Sequence, residues 1–147
     1  MKITYKNENG GVSIIYPTEE ALESMSIHEI ALKDVPTGLP FAIVEDSEIP
    51  TDRTFRDAWT VDEATLTDGG WRMIKVDLNK AKEIANSKRR EARTAEFAPL
   101  DIQVTIPTLA KQAEIERQNI REKYAEIQAQ IDEANSVDAL KDIITQL

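Results

Sequence analysis

The chain has 147 residues, enough for one ordinary domain or a small domain carrying an appended helical element. Its 41% hydrophobic and 31% charged residues exclude wholesale disorder, and only 5% aromatics leave the core to Ile, Leu, Val and Ala. The lack of cysteine excludes thiol nucleophiles, disulfides and thiolate metal sites, and a net charge of -9 disfavours nucleic acid and anionic lipid as partners.

In chain order, residues 2–6 and 12–16 are two short β-type runs around Asn7-Glu-Asn-Gly-Gly. That linker is rich in residues that tolerate positive φ, which predicts a β-hairpin. Pro17 closes the second run, and Thr18 is placed to cap a short helix through about Ser24. Ser26-Ile27-His28-Glu29 reads as a capping box, with Met25 and Ile30 at the staple positions, so a second short helix follows to about Lys33. Pro36-Thr37-Gly38 predicts a turn, and Phe41 to Val44 a strand. Residues 45–70 are polar, contain Pro50 and end at Asp68-Gly69-Gly70, as a loop would. The exception is Phe55 to Trp59, whose two large rings sit four residues apart and suit one side of a short turn. Trp71 to Val76 alternates roughly and is expected as a last strand.

Asp77 is a suitable N-cap for a helix from Leu78 to about Ala95. Leu78, Ala81, Ala85, Ala92 and Ala95 form one stripe, interrupted by Lys88. Pro99 and Pro107 are expected to bracket a break, because proline removes a donor and crowds the preceding turn. A long helix is predicted from about Pro107 to Ala134, with Ile106, Ala113, Ile120, Ile127 and Ala134 at every seventh position. Ala110, Tyr124 and Ile131 widen that ridge. Ser136 caps a terminal helix whose apolar face is Val137, Leu140, Ile143, Ile144 and Leu147. An exposed helix of this kind is marginal, so the ridge needs a protein surface to cover it. The helix from Leu78, folded back, supplies one; the same helix of a second subunit supplies another. Both remain open at this level.

Chemistry is sparse. His28 is the lone histidine, beside Glu29 in a first helical turn, and reads as a surface or capping residue better than as a general base. One histidine and no cysteine exclude cysteine-based triads and His-rich metal sites. Glu45, Asp46, Glu48 and Asp52 form an acidic cluster without calcium-loop spacing, hence a solvated loop. Gly10-Gly11 and Gly69-Gly70 match no phosphate or dinucleotide loop and read as turns. No catalytic residue, cofactor or metal is expected. No apolar run approaches the roughly 18 residues needed to span a bilayer, and the first residues lack the apolar stretch of a signal peptide.

Charge is unevenly spread. Up to Met73 there are 6 basic against 14 acidic residues, and from Ile74 onward 12 against 13. The basic run Lys88-Arg89-Arg90-Glu91-Ala92-Arg93 is interleaved with acids and fits a solvated helix face. Docking the acidic half of a neighbouring subunit suits it slightly better than nucleic acid does. Trp59 and Trp71 suit interface anchors, though core packing is the plainer reading. Arg53 and Arg56, near Asp52 and Asp57, are expected to order their loop through ion pairs or to hold a partner carboxylate. The candidate partner-binding residues are Arg53, Phe55, Arg56, Trp59, Ile120, Tyr124, Ile127 and Ile131.

The stretch from Val35 to Glu63, VPTGLPFAIVEDSEIPTDRTFRDAWTVDE, resembles a group of small phage and prophage proteins. They carry a similar proline-bracketed segment followed by the element formed here by Arg53, Phe55, Arg56, Ala58 and Trp59. Counterparts of the group's later elements are Lys80 to Arg93, Leu100-Asp101, Arg117 to Arg121, and Ala134 through Leu140-Lys141. The resemblance covers about three quarters of the chain, and its specific part is Arg53 to Trp59. The Pro99 to Pro107 segment departs from the group, in which continuous helix is expected. The resemblance implies a virion structural or assembly role near tail-fibre or tail-spike genes, and it carries over no catalytic residue.

The combined expectation is an α+β chain: an acidic hairpin and short-helix domain over 1–76, then a helical association element over 77–147. Its function is expected to be binding of other virion proteins, with homo-oligomerisation, in a virion assembled in the host cytoplasm. A tail-fibre assembly chaperone absent from the finished particle, and an acidic regulator of a host protein, are the alternatives.

Overall fold

The computed structural model describes residues 1–61 and 74–147, and the chain is α+β. It separates into two compact units, Met1–Asp77 and Leu78–Leu147. The expected turn at Gly69-Gly70 and the first half of the expected Trp71 to Val76 strand, Trp71 included, lie outside the described residues.

The first unit is built on a hairpin, β1 (Lys2–Lys6) and β2 (Val12–Ile15), closed by the side chain of Asn7. Its Oδ1 accepts from the amides of Asn9 at 3.1 Å and Gly11 at 3.0 Å, while Gly10 takes φ 73°. Only a residue without Cβ adopts that conformation at no steric cost. Strand β3 (Phe41–Val44) pairs antiparallel with the other edge of β1, giving the order β2-β1-β3. Cross-strand register sets the two faces. Ile3 lies opposite Ile15 and Ile43, while Thr4 lies opposite Ile14 and Ala42.

Each face is covered by a different layer. Ile3, Tyr5, Ile15, Phe41 and Ile43 pack with Ile30, Ala31 and Val35 of the helical segment. That segment comprises α1 (Glu19–Ser24), capped by Thr18, and α2 (Ile27–Asp34), capped by the Ser26/Glu29 box. Ser26 Oγ accepts from the Glu29 amide at 3.3 Å, and Glu29 accepts from the Ser26 amide at 2.8 Å. On the opposite face, Val12, Ala42 and Val44 pack with Ile49, Trp59, Val61 and Ile74. There β4 (Trp59–Thr60) pairs antiparallel with β5 (Lys75–Val76), Trp59 opposite Val76. The sheet is therefore sandwiched, and Trp59 sits inside.

The second unit is an αα-hairpin with a third helix: α3 (Leu78–Gln103), α4 (Ala110–Glu133) and α5 (Val137–Ile144). As α3 residue numbers rise, the α4 residues bonded to them fall. Lys82 donates to the Asp132 carbonyl, Arg89 to the Tyr124 carbonyl, and Arg117 donates back to Asp101, so the two helices are antiparallel. The seam buries Ala81, Ala85 and Leu100 of α3 and Ala113, Tyr124, Ile127 and Ile131 of α4. Leu140 and Ile143 of α5, which begins after its Ser136 cap, complete the core. The two alanines of α3 let the backbones approach closely where α4 contributes larger side chains.

Three expectations need correction here. The first helix does not stop at Ala95: α3 runs through Pro99 to Gln103. Pro99 forfeits one backbone hydrogen bond, but the turn beyond it is anchored by buried Leu100 and by the 2.7 Å Asp101–Arg117 ion pair. The α4 helix starts at Ala110, so Ile106, the expected first rung of the ridge, lies in the connecting turn and is exposed. Lys88 is exposed and does not interrupt the α3 stripe; Arg89 occupies the buried face in its place.

Candidate functional site

The Arg53 to Trp59 element wraps one face of the sheet. Asp52 Oδ1 accepts from the Thr54 amide at 2.9 Å, and a single 3₁₀ turn, Arg56–Ala58, delivers Trp59 to the core. Trp59 is 1% exposed and Phe55 2%. The Arg56 guanidinium lies 4.5 Å from the Trp59 ring centre, and its Nη2 donates to the Val12 carbonyl at 2.7 Å. It thus ties the loop to β2 and covers the indole. Arg53 reaches the other way, donating from Nη2 to the Tyr16 hydroxyl at 3.2 Å. Beside it, Asp46 holds the terminal amine at 3.1 Å and Lys2 Nζ at 3.4 Å. Bonding to that amine, and then the Lys2 charge, keep the Asp46 carboxyl below the usual carboxylate range. The expected solvated acidic loop is therefore partly a tether.

The helical seam carries a polar network. Glu96 Oε1 accepts from Lys123 Nζ at 2.6 Å and from the Tyr124 hydroxyl at 2.7 Å. These bonds hold the Glu96 carboxyl low. Burial, reinforced by the Glu96 carboxylate, pushes the Tyr124 phenol up to about 12. Arg89 is buried, donating Nε to Asn86 Oδ1 at 3.1 Å and Nη1 to the Tyr124 carbonyl at 3.4 Å. Desolvation, then the neighbouring Arg90 and Arg93, lowers its pKa.

Of the eight candidate binding residues, Phe55, Trp59, Tyr124, Ile127 and Ile131 are buried inside their own units. Their apolar surface is already covered within the chain. Arg53 is exposed, and Arg56 and Ile120 are half-buried. The ridge of α4 finds its cover on α3 and α5, so it is core and does not present a free seam. Apolar surface is exposed elsewhere, at the turn joining α3 to α4. Ile102 is 68% exposed, Ile106 40%, Leu109 43% and, on the second turn of α4, Ile115 49%. These residues escaped the sequence argument because the heptad count assigned Ile106 to the buried ridge and gave the other three no role.

A second surface lies between the helices. Arg90, Arg93, Phe97, Asp101, Arg117 and Arg121 line a cleft of about 460 Å³. Phe97 has the Arg93 guanidinium 5.2 Å and the Arg117 guanidinium 5.5 Å from its ring centre. Arg117 pairs with Asp101 at 2.7 Å, and Arg121 pairs with Glu114 at 3.0 Å. His28, on α2, tilts against Phe41 at 5.8 Å between ring centres. Among the described residues no group of three or more His, Cys, Asp or Glu is placed to hold a metal ion, and no helix is long and apolar enough to cross a membrane. Comparison with protein-family models, with curated proteins and with solved structures finds no match to this chain.

Proposed function

We propose that the chain is a non-catalytic, protein-binding component of a phage virion, an adaptor associated with a tail fibre or tail spike. The observation that carries the binding role is the exposed aliphatic group at the α3–α4 turn: Ile102, Ile106, Leu109 and Ile115. Isolated exposed aliphatics are ordinary, but four large ones within fourteen residues at the end of a helical hairpin suit a docking surface. The virion setting is supported by the resemblance of Arg53 to Trp59 and of the helical segments to the small phage proteins described above.

Mass spectrometry of purified particles from the encoding phage tests the setting. A virion component yields its peptides at a fixed ratio to the fibre protein. Peptides found on fibre protein in the lysate but missing from particles would make the chain an assembly chaperone. Absence from both would overturn the proposal.

A further inference from the structure

The Arg90/Arg93 side of the cleft is electrostatically open. Among the described residues neither arginine has a carboxylate within ion-pair distance, whereas Arg117 and Arg121 are already paired. Arg90 Nη2 is held by Ser87 Oγ at 2.9 Å, and Arg93 is stacked on Phe97. Both guanidinium groups are thus positioned, with N–H edges left to offer.

The complementary surface belongs to the first unit. Residues 1–77 hold 7 basic against 15 acidic residues, and residues 78–147 hold 11 against 12. On α1, Glu19, Glu20 and Glu23 are all exposed, and none has an ion-pair partner among the described residues. Between them, Leu22 is 47% exposed. Glu20 and Glu23, three apart on a helix, match the spacing of Arg90 and Arg93, also three apart.

We propose that the cleft receives helix α1 of a second copy of the chain, with Glu19, Glu20 and Glu23 meeting Arg90 and Arg93 and Leu22 lying toward Phe97. This rests on the protein-binding role above and adds a partner to it. Two equivalent contacts close a symmetric dimer, and a single repeated contact gives a head-to-tail chain.

Sedimentation of the full chain tests this. The wild type self-associates, with an apparent Kd weakening at least about tenfold between roughly 0.05 and 0.5 M salt. Arg90→Glu with Arg93→Glu abolishes association, and so does Glu19→Arg with Glu20→Arg and Glu23→Arg. Mixing the two variants restores it, since each reversed surface then meets its complement. Circular dichroism checks that both fold; if either does not, Arg90→Gln with Arg93→Gln and the three Glu→Gln changes replace them, each expected to weaken association at least about tenfold. A wild type that stays monomeric at all salt concentrations overturns the proposal, as does association that the substitutions leave unchanged. A monomer that shifts a labelled single-stranded oligonucleotide, and loses the shift on Arg90/Arg93 reversal, overturns it in favour of nucleic acid. Docking at the α3–α4 turn is read separately by cross-linking, so a failure of this contact is distinguishable from a failure of the protein-binding role.

Discussion

The Tyr124 hydroxyl donates to Glu96 Oε1 at 2.7 Å across the α3–α4 seam, and Lys123 Nζ donates to the same oxygen at 2.6 Å. This pairing ties the two long helices together across their seam. Tyr124→Phe keeps the ring and removes the bond, so chemical denaturation should show a loss of about 1 kcal/mol.

The same pair makes a pH prediction at each end of the scale. The Tyr124 phenol ionises near 12 in the fold against 10.0 when free, so its stabilising contribution is complete below pH 10. It is lost as the pH rises from there through 12. Glu96 is held below 4.5, so its contribution is complete above pH 4.5 and is lost as acid carries the pH down through its lowered value. Tyr124→Phe should remove the phenol that ionises near pH 12 from an absorbance titration and flatten the alkaline unfolding limb.

Trp59 links the two-stranded β4-β5 pair to the central sheet, with Arg56 over its face. Trp59→Ala should cost about 3–5 kcal/mol and be visible as an early transition in urea. Arg56→Lys keeps the charge but loses the planar stack and the directed bond to the Val12 carbonyl, so a smaller loss of about 1 kcal/mol is expected.

Thr4 is buried in the middle of the sheet, and its hydroxyl has no hydrogen-bond partner among the described residues. A desolvated hydroxyl without a partner is a cost that valine, of nearly the same shape, does not carry. Thr4→Val should therefore raise stability, by about 1 kcal/mol in a denaturant melt.

Much of the fold is legible in local chemistry. The Asn7-Gly10 turn, the Thr18, Ser26 and Ser136 caps, and the seven-residue ridge over Ala113 to Ala134 are each carried by neighbours in the chain. What was not legible depends on distant partners. Pro99 stays helical with Leu100 buried just beyond it and Asp101 paired to Arg117 of α4. Arg89 enters the seam because the Asn86 side chain and the Tyr124 carbonyl receive it, a role its charge does not suggest. Spacing alone points to it, since 81, 85, 89, 92, 96 and 100 share one helix face. The ridge was legible, but not what covers it; periodicity cannot distinguish a helix of the same chain from that of another. With the cover supplied by α3, Ile127→Asp should unfold the helical unit, costing about 3 kcal/mol or more, where a seam between subunits would merely dissociate.

Binding to another protein through the α3–α4 turn is tested most directly by site-specific photo-cross-linking during particle assembly. A photoreactive residue at Ile106 should yield a discrete adduct with another virion protein, and one at the exposed Gln128 of α4 should not. Adducts at Gln128 but none at Ile106, or none at either position, would contradict the account.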